Sequence, residues 1–387
     1  VFTPDAVRDV AGPGIEALDA RLAAVERFAA ASLPTADEEI WRYSRIGDLD
    51  LDRFRPAAAR TERSESAERF TVPAADVDAA VVELFPDETP DVFAELNRAF
   101  MTPVVLRIPA GTVVTEPIRI THHVAGDGTA VFPRLVIDAG ADSEVTVVER
   151  FVAAPGTDPA LVVPVLQLRA APAARVRYLA VNELATTTWQ IGHQQATADR
   201  DASVLLGTVA LGGDYARVRT EARTIGRGAD VRQVALYFAG GAQMHDFRTI
   251  QDHAAPHTTS DLLFKGAVQD HARSVYTGLI RIREEARGTR AFQTNRNLTL
   301  SEGAWAESVP NLDIRTNDVS CSHASTVGPI DPDQRFYLES RGVEPSVAER
   351  LVVLGFFDEV LAQLPAGDLA AELRANVSAK LHLGDDR

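Results

Sequence analysis

Ala216-Arg217-Val218-Arg219-Thr220-Glu221-Ala222-Arg223-Thr224 alternates small or apolar residues with charged ones at nearly every step. A period of two belongs to a β-strand, whose successive side chains point to opposite faces. The stretch therefore predicts one packed face and one wet face carrying Arg217, Arg219 and Arg223. An anion-binding row is the competing reading of those arginines, but Glu221 interrupts it, so a solvated strand face is preferred.

Runs of β-rich sequence recur on both sides: Val104–Ile108, Glu144–Phe151, Ser203–Leu211, Val231–Phe238, Val275–Ile282 and Asn311–Ile314. No long amphipathic helix interrupts them. Small-residue turns precede strands at Gly140-Ala141-Asp142, Ala173-Ala174-Arg175, Asp201-Ala202-Ser203, Gly228-Ala229-Asp230, His271-Ala272-Arg273 and Gly303-Ala304-Trp305. This loose repeat suits a coiled stack of strands in which each rung buries its inner face on its neighbours. A β-sandwich is the alternative, since alternation alone does not separate the two. Either way the chain is mainly β.

Helical character frames this region. Ile15, Leu18, Leu22, Val25 and Phe28 keep the spacing of an amphipathic helix after Gly12-Pro13-Gly14. Beyond Pro332, a short segment from Asp333 to Arg341 stops at Gly342. Ser346 is then placed to cap a helix with Val347, Leu351, Leu354, Phe357 and Leu361 on one stripe, ended by Pro365. A last helix is expected from Asp368 through Leu381. The expected parts are a helix-rich region at 1–100, a β core at 101–332 and a helical region at 333–387.

Composition excludes several functions. Net charge is −16 and the only lysines are Lys265 and Lys380; an acidic surface repels phosphate backbones, so nucleic acid is not an expected partner. No apolar run is long enough to span a membrane. Val1 to Gly14 carries Asp5, Arg8 and Asp9 without an apolar stretch, so no secretory signal is predicted there, and a single cysteine forms no internal disulfide. A cytoplasmic address follows as the expectation. Neither a P-loop nor a Gly-x-Ser-x-Gly elbow occurs.

His245, His253 and His257 cluster in sequence, but Pro256 and the extended surroundings favour structural hydrogen bonds over a metal. His122 and His123 point to opposite faces of any strand, and the adjacent Glu284 and Glu285 diverge in the same way. Cys321 and His323 differ: two residues apart on a strand, they share a face and form a thiolate–imidazole pair suited to iron. A lone cysteine is also commonly a small buried hydrophobe. Two ligands make half a site, so the others would have to come from another chain.

These residues sit in an ordered series. Asp318-Val319-Ser320-Cys321-Ser322-His323-Ala324-Ser325-Thr326-Val327-Gly328 closely resembles the signature of the SufB/SufD family of iron–sulfur cluster assembly proteins. Thr259-Ser260-Asp261-Leu262-Leu263-Phe264-Lys265-Gly266, Gly278, Gln293-Thr294-Asn295-Arg296-Asn297-Leu298 and Pro310-Asn311-Leu312-Asp313-Ile314 follow the family's order. So do Phe336-Tyr337-Leu338-Glu339-Ser340-Arg341-Gly342, Leu354-Gly355-Phe356 and, near the start, Trp41-Arg42-Tyr43. Arg287-Gly288-Thr289 departs from a lysine-containing turn of many relatives, and no role is carried onto it.

The resemblance implies a right-handed parallel β-helix flanked by helical regions, in a cytoplasmic complex of SufB, SufD and SufC ATPase subunits. It places His323 on the SufD histidine of the nascent-cluster site and Cys321 on the interface cysteine beside it. A transient iron–sulfur cluster would lie at the interface with a SufB-type paralogue, with none bound by this chain alone. A SufC-type ATPase would dock on residues 333–365, with Tyr337, Arg341, Leu354, Phe356 and Phe357 as contacts. SufB-like chains bring more cysteines, so a single Cys321 points to a SufD-type, non-enzymatic subunit. The ends of a β-helix also leave a homodimer of the isolated chain open. Two rivals stand beside this reading: a carbohydrate-active β-helix lyase or hydrolase, and a purely architectural paralogue in which Cys321 and His323 are core residues.

Overall fold

The computed structural model describes residues 1–11, 18–84, 91–126, 128–153 and 159–382. Its core is a β-solenoid of about eight turns. In each turn the chain runs along sheet A, rounds a corner and returns along sheet B. Sheet A ends with Tyr215–Thr224, Met244–His253, Arg273–Ile282 and Trp305–Ile314; sheet B ends with Asp230–Ala239, Thr259–Val268, Thr289–Thr299 and Val319–Gly328. Arg175 lies beside Ser203, then Asp230, Thr259 and Arg290 follow in register, so a turn takes 27 to 31 residues. All these pairings are parallel, which settles the stack of strands against the sandwich.

One backbone device closes each turn ahead of sheet B. Asp142, Ala173, Asp201, Gly228, His257 and Gly288 occupy equivalent corner positions, all with φ between 56° and 76°. The N–H of each donates to a carbonyl of the next turn, as in Ala173 to Arg200, Asp201 to Arg227 and His257 to Arg287. This left-handed conformation suits glycine and is reached by Asp and His more readily than by most residues. Ser143, Ala174, Ala202, Ala229, Thr258 and Thr289 come next and are buried in the corner. The alanine repeat in the sequence mixes two corners. Ala272 and Ala304 precede sheet A strands at the opposite edge, so the step from Ala229 to Ala272 falls out of phase.

Inside, Val145, Val147, Val176, Val204, Leu206 and Val231 of sheet B pack against Ala196, Ala198 and Ala222 of sheet A. Glycine opens a slot at one rung: a Cβ on Gly266 would come within 1.9 Å of the Tyr237 ring. Tyr237 therefore lies across Gly266 and donates to Asn297 Oδ1 at 2.6 Å, while Asn295 Nδ2 donates to its hydroxyl at 2.9 Å.

Both outer faces are covered over much of their length. Helices α1 (Pro4–Ala11), α2 (Leu18–Ala30), α3 (Glu65–Phe70), α4 (Val77–Leu84) and α5 (Val92–Phe100) precede the main strands. Val25, Trp41, Ile46, Phe93 and Phe100 pack on Phe132, Ile191, Tyr215, Met244 and Val275. The expected helix start at Gly12-Pro13-Gly14, with Ile15, lies outside the described residues.

This cover corrects the wet-face reading of Arg217, which is only 1% exposed. Its guanidinium stacks over the Trp41 ring, donates to Asp246 Oδ2 at 2.8 Å and to the Ile40 carbonyl at 2.8 Å. Arg248 donates to Asp246 Oδ1 at 2.6 Å and to the Arg42 carbonyl at 2.5 Å. Burial pushes the Asp246 carboxyl upward, yet the two guanidiniums and the Tyr215 hydroxyl outweigh it and hold the group below its ordinary range. Arginine is at home here because backbone carbonyls and one carboxylate replace its water. Arg219 pairs with Glu221, and Arg223 remains near solvent beside Asp252.

Helices α6 (Pro332–Ser340), α7 (Pro345–Leu361) and α8 (Leu369–His382) fold back on the outside of sheet B. Val353, Phe357, Val360, Leu373 and Val377 bury against Val181, Val209, Leu236 and Phe238. Sheet B is thus apolar on both faces, which is why Val231–Phe238 shows no clean alternation. Both lysines of the chain fasten these helices. Lys265 Nζ donates to the Phe356 carbonyl at 2.9 Å and pairs with Glu359 at 2.6 Å; Lys380 Nζ donates to Gln243 Oε1 at 2.7 Å and to the Leu211 carbonyl.

Two expectations for this region need correcting. Glu344, not Ser346, caps α7: its carboxylate accepts from the Ser346 and Val347 amides at 3.0 and 3.2 Å. The buried stripe of α7 runs through Ala348, Val353, Phe357 and Val360, leaving Val347 and Leu351 40% and 48% exposed. Among the described residues, no helix is long and apolar enough to cross a membrane.

Candidate functional site

Trp305–Ile314 and Val319–Gly328 are the last strands of their sheets, each paired on one side only. Their other edges present unpaired backbone donors and acceptors. Because no further turn covers them, inward-facing apolar residues of this rung reach solvent: Leu312 is 42% exposed, Ile314 40% and Val327 43%.

Cys321 and His323 lie on the inner face of that last rung. Cys321 is in register with Ala291 and His323 with Gln293, both buried interior residues. The structure brings the pair together as alternation predicts, roughly 7 Å apart along the strand. They differ in setting. Cys321 is half-buried beside Ile280, Ile282, Ala286 and Ala291, and that burial raises its thiol pKa. His323 is exposed at the mouth of the solenoid.

Five other histidines lie away from this rung, in settings of their own. His253 is buried and bonded to Thr258 Oγ1 at 2.7 Å and Ser260 Oγ at 2.8 Å. His245 is fully buried with Nε2 3.1 Å from the Gly212 carbonyl, and desolvation, then the Lys380 charge, push its pKa down to about 3. His257 serves the left-handed corner. His122 bonds Glu149 at 2.8 Å inside the solenoid, while His123 faces outward toward Glu62. Glu284 and Glu285 occupy an exposed corner turn, not a strand. Among the described residues, no three His, Cys, Asp or Glu side chains gather to hold a metal.

A second feature lies beside the open end. A groove of about 840 Å³ runs between α6 and α7 over Leu298, lined by Ile330, Tyr337, Leu351, Gly355 and Phe356 among others. Phe336 is 70% exposed and Tyr337 58%, with the Arg341 guanidinium 5.2 Å over the Tyr337 ring. Phe357, expected as a partner contact, is instead fully buried against Phe238. It seats α7 and cannot reach a partner. Leu354 also packs toward the sheet.

The pattern described as SUF system FeS cluster assembly, SufBD core domain, matches residues 122–356. The chain belongs to the SufBD family. An iron–sulfur cluster assembly SufBD family protein of Mycobacterium tuberculosis is 33% identical over 91% of this chain and 90% of its own length. The cluster assembly protein SufD of Escherichia coli is 26% identical over 90% and 89%, and SufD of Bacillus subtilis 29% identical over 71% and 63%. The SufBD core match includes the last rung and most of the groove. It stops short of α8 and excludes the N-terminal cover. Family membership makes this an iron–sulfur cluster assembly protein.

Sequence reasoning missed the anchoring of Trp41. The signal was present in Trp41-Arg42-Tyr43 and the arginines at 217 and 248, but only the fold brings Asp246 between them.

Proposed function

We propose that this SufBD protein is the SufD-type, non-enzymatic subunit of a cytoplasmic cluster-assembly scaffold. Its last rung pairs with a SufB-type paralogue, and the nascent iron–sulfur cluster, as cargo, is built at that junction with His323 and Cys321 as this chain's ligands. A SufC-type ATPase docks at the groove between α6 and α7, contacting Tyr337, Arg341 and Phe356. The observation that carries this reading is the uncapped rung itself: among the described residues, two unpaired strand edges frame a thiol and an imidazole on one inner face. A strand edge is completed by another strand, so a second solenoid is the natural partner. The same edges favour a homodimer when the chain is alone.

Replacing His323 by Ala and Cys321 by Ser, separately, in the chain co-produced with its paralogue and ATPase tests the site. Assembly should survive and cluster content should fall. Clusters at wild-type level in both variants would remove the ligand assignment, and a purified chain that captures neither partner would remove the scaffold reading.

A further inference from the structure

Gln293 stands directly beneath His323 on the neighbouring strand. Parallel neighbours on one face lie about 4.8 Å apart, so the amide and the imidazole are within reach of each other. Gln293 is 2% exposed, and its Oε1 has no hydrogen-bond partner. A buried carbonyl oxygen without a donor is unfavourable and calls for an explanation.

The place of the amide is set by Gly278. A Cβ there would lie 2.5 Å from Gln293 Nε2 and 2.4 Å from the Tyr276 hydroxyl, which is itself 2.9 Å from Thr249 Oγ1. The nitrogen end of Gln293 is thus packed in a slot that only glycine leaves open. The acceptor end is the one left over.

Histidine needs such an acceptor when it binds a metal. One ring nitrogen offers its lone pair, and the N–H of the other is usually held by a carbonyl or carboxylate, which fixes tautomer and orientation. We infer that Gln293 is the positioning residue of His323: its Oε1 accepts one ring N–H and presents the other nitrogen to the open end. The exposed imidazole turns onto it by a side-chain rotation that is fast for a surface group. Gly278, three strands before His323 in sequence, belongs to the same device. This rests on the reading of His323 as a ligand, and the first test below does not.

The test is nitrogen NMR of histidine side chains in the full chain, at about pH 8 where free imidazole is neutral, with His323 identified by its loss in His323→Ala. The expected result is one dominant His323 tautomer in the wild type. In Gln293→Leu the tautomer ratio should change about three- to tenfold, the effect of losing one ordinary hydrogen bond, and Gln293→Glu, which keeps an acceptor, should restore it. Gly278→Ala, which displaces the amide, should act like Gln293→Leu. Should Gln293→Leu fail to fold, Gln293→Met takes its place as an apolar side chain of similar length. A ratio unchanged in folded Gln293→Leu or Gln293→Met overturns the inference. In the co-produced complex, Gln293→Leu should lower cluster content without preventing assembly. If His323→Ala leaves clusters intact, the ligand reading fails, while the tautomer measurement still decides the role of Gln293.

Discussion

The guanidinium carbon of Arg217 lies 3.9 Å from the centre of the Trp41 ring, joining the N-terminal cover to sheet A. Beneath it Asp246 is completely buried and bonded by Arg217, Arg248 and Tyr215. Breaking a buried ion network from one side strands the remaining charge, at a cost of about 3–5 kcal/mol. Asp246→Ala should therefore lower unfolding free energy by about that much in urea titrations, because two buried arginines lose their counter-charge. Replacing Arg217 by Met should cost less than Asp246→Ala, since Arg248 keeps the carboxylate paired.

Lys380 gives a dependence on alkaline pH. Burial lowers its pKa from 10.5 to about 7. Between those values the unfolded chain binds the proton and the folded chain does not. Stability must then rise with pH across that window, and the folded state bears the full penalty only below about 7. Subtracting the urea stability of Lys380→Met from that of the wild type at several pH values should leave this slope. A flat difference would show that the amine keeps its ordinary affinity for protons.

His245 works at the acid end. Its pKa falls from 6.5 to about 3, so the unfolded chain takes up a proton that the folded chain refuses. Stability from this group is lost as pH falls through that interval. A neutral His245→Gln variant, if folded, should unfold with a weaker dependence on acid than the wild type, as read by circular dichroism.

Glycine substitutions separate packing from docking. Gly266→Ala drives a methyl into the Tyr237 ring and should be strongly destabilising. Gly355 is different: a Cβ there meets nothing within 4 Å, and the residue sits mid-helix in α7. Gly355→Ala should stabilise the isolated chain by up to about 1 kcal/mol through helix propensity. Because Gly355 also lines the groove, the same change should weaken capture of the proposed ATPase partner.

Phe336 and Phe357 should divide in the same assay. Phe357→Ala empties a core site and should cost about 3–5 kcal/mol. Phe336→Ala, at an exposed position, should stay within about 0.5 kcal/mol of wild-type stability while reducing binding of the proposed ATPase partner. Equal binding by both variants would move the docking surface elsewhere.

Much of this was legible beforehand. Alternation in Ala216–Thr224 gave a strand, and spacing of two put Cys321 and His323 on one face. What alternation could not show was which outer faces would be covered. Arg217 looks wet by every local criterion, and only the return of Trp41 across sheet A makes it a core residue. Helical spacing succeeded only in part in α7: Phe357 of the predicted stripe is buried, but the sheet selects Val353 and Val360 over Val347 and Leu351. Gln293 stood out only as part of a family-like motif. Its meaning comes from His323, a full turn away in sequence, and from Gly278, about half a turn away.

The two lysines have a practical consequence. Apart from the chain terminus, this molecule carries side-chain amines only at Lys265 and Lys380, and both are engaged in holding the C-terminal helices. An amine-reactive mass tag would therefore be blind to the rest of the surface. Its rate of uptake would report, position by position, how often α7 and α8 lift from the solenoid.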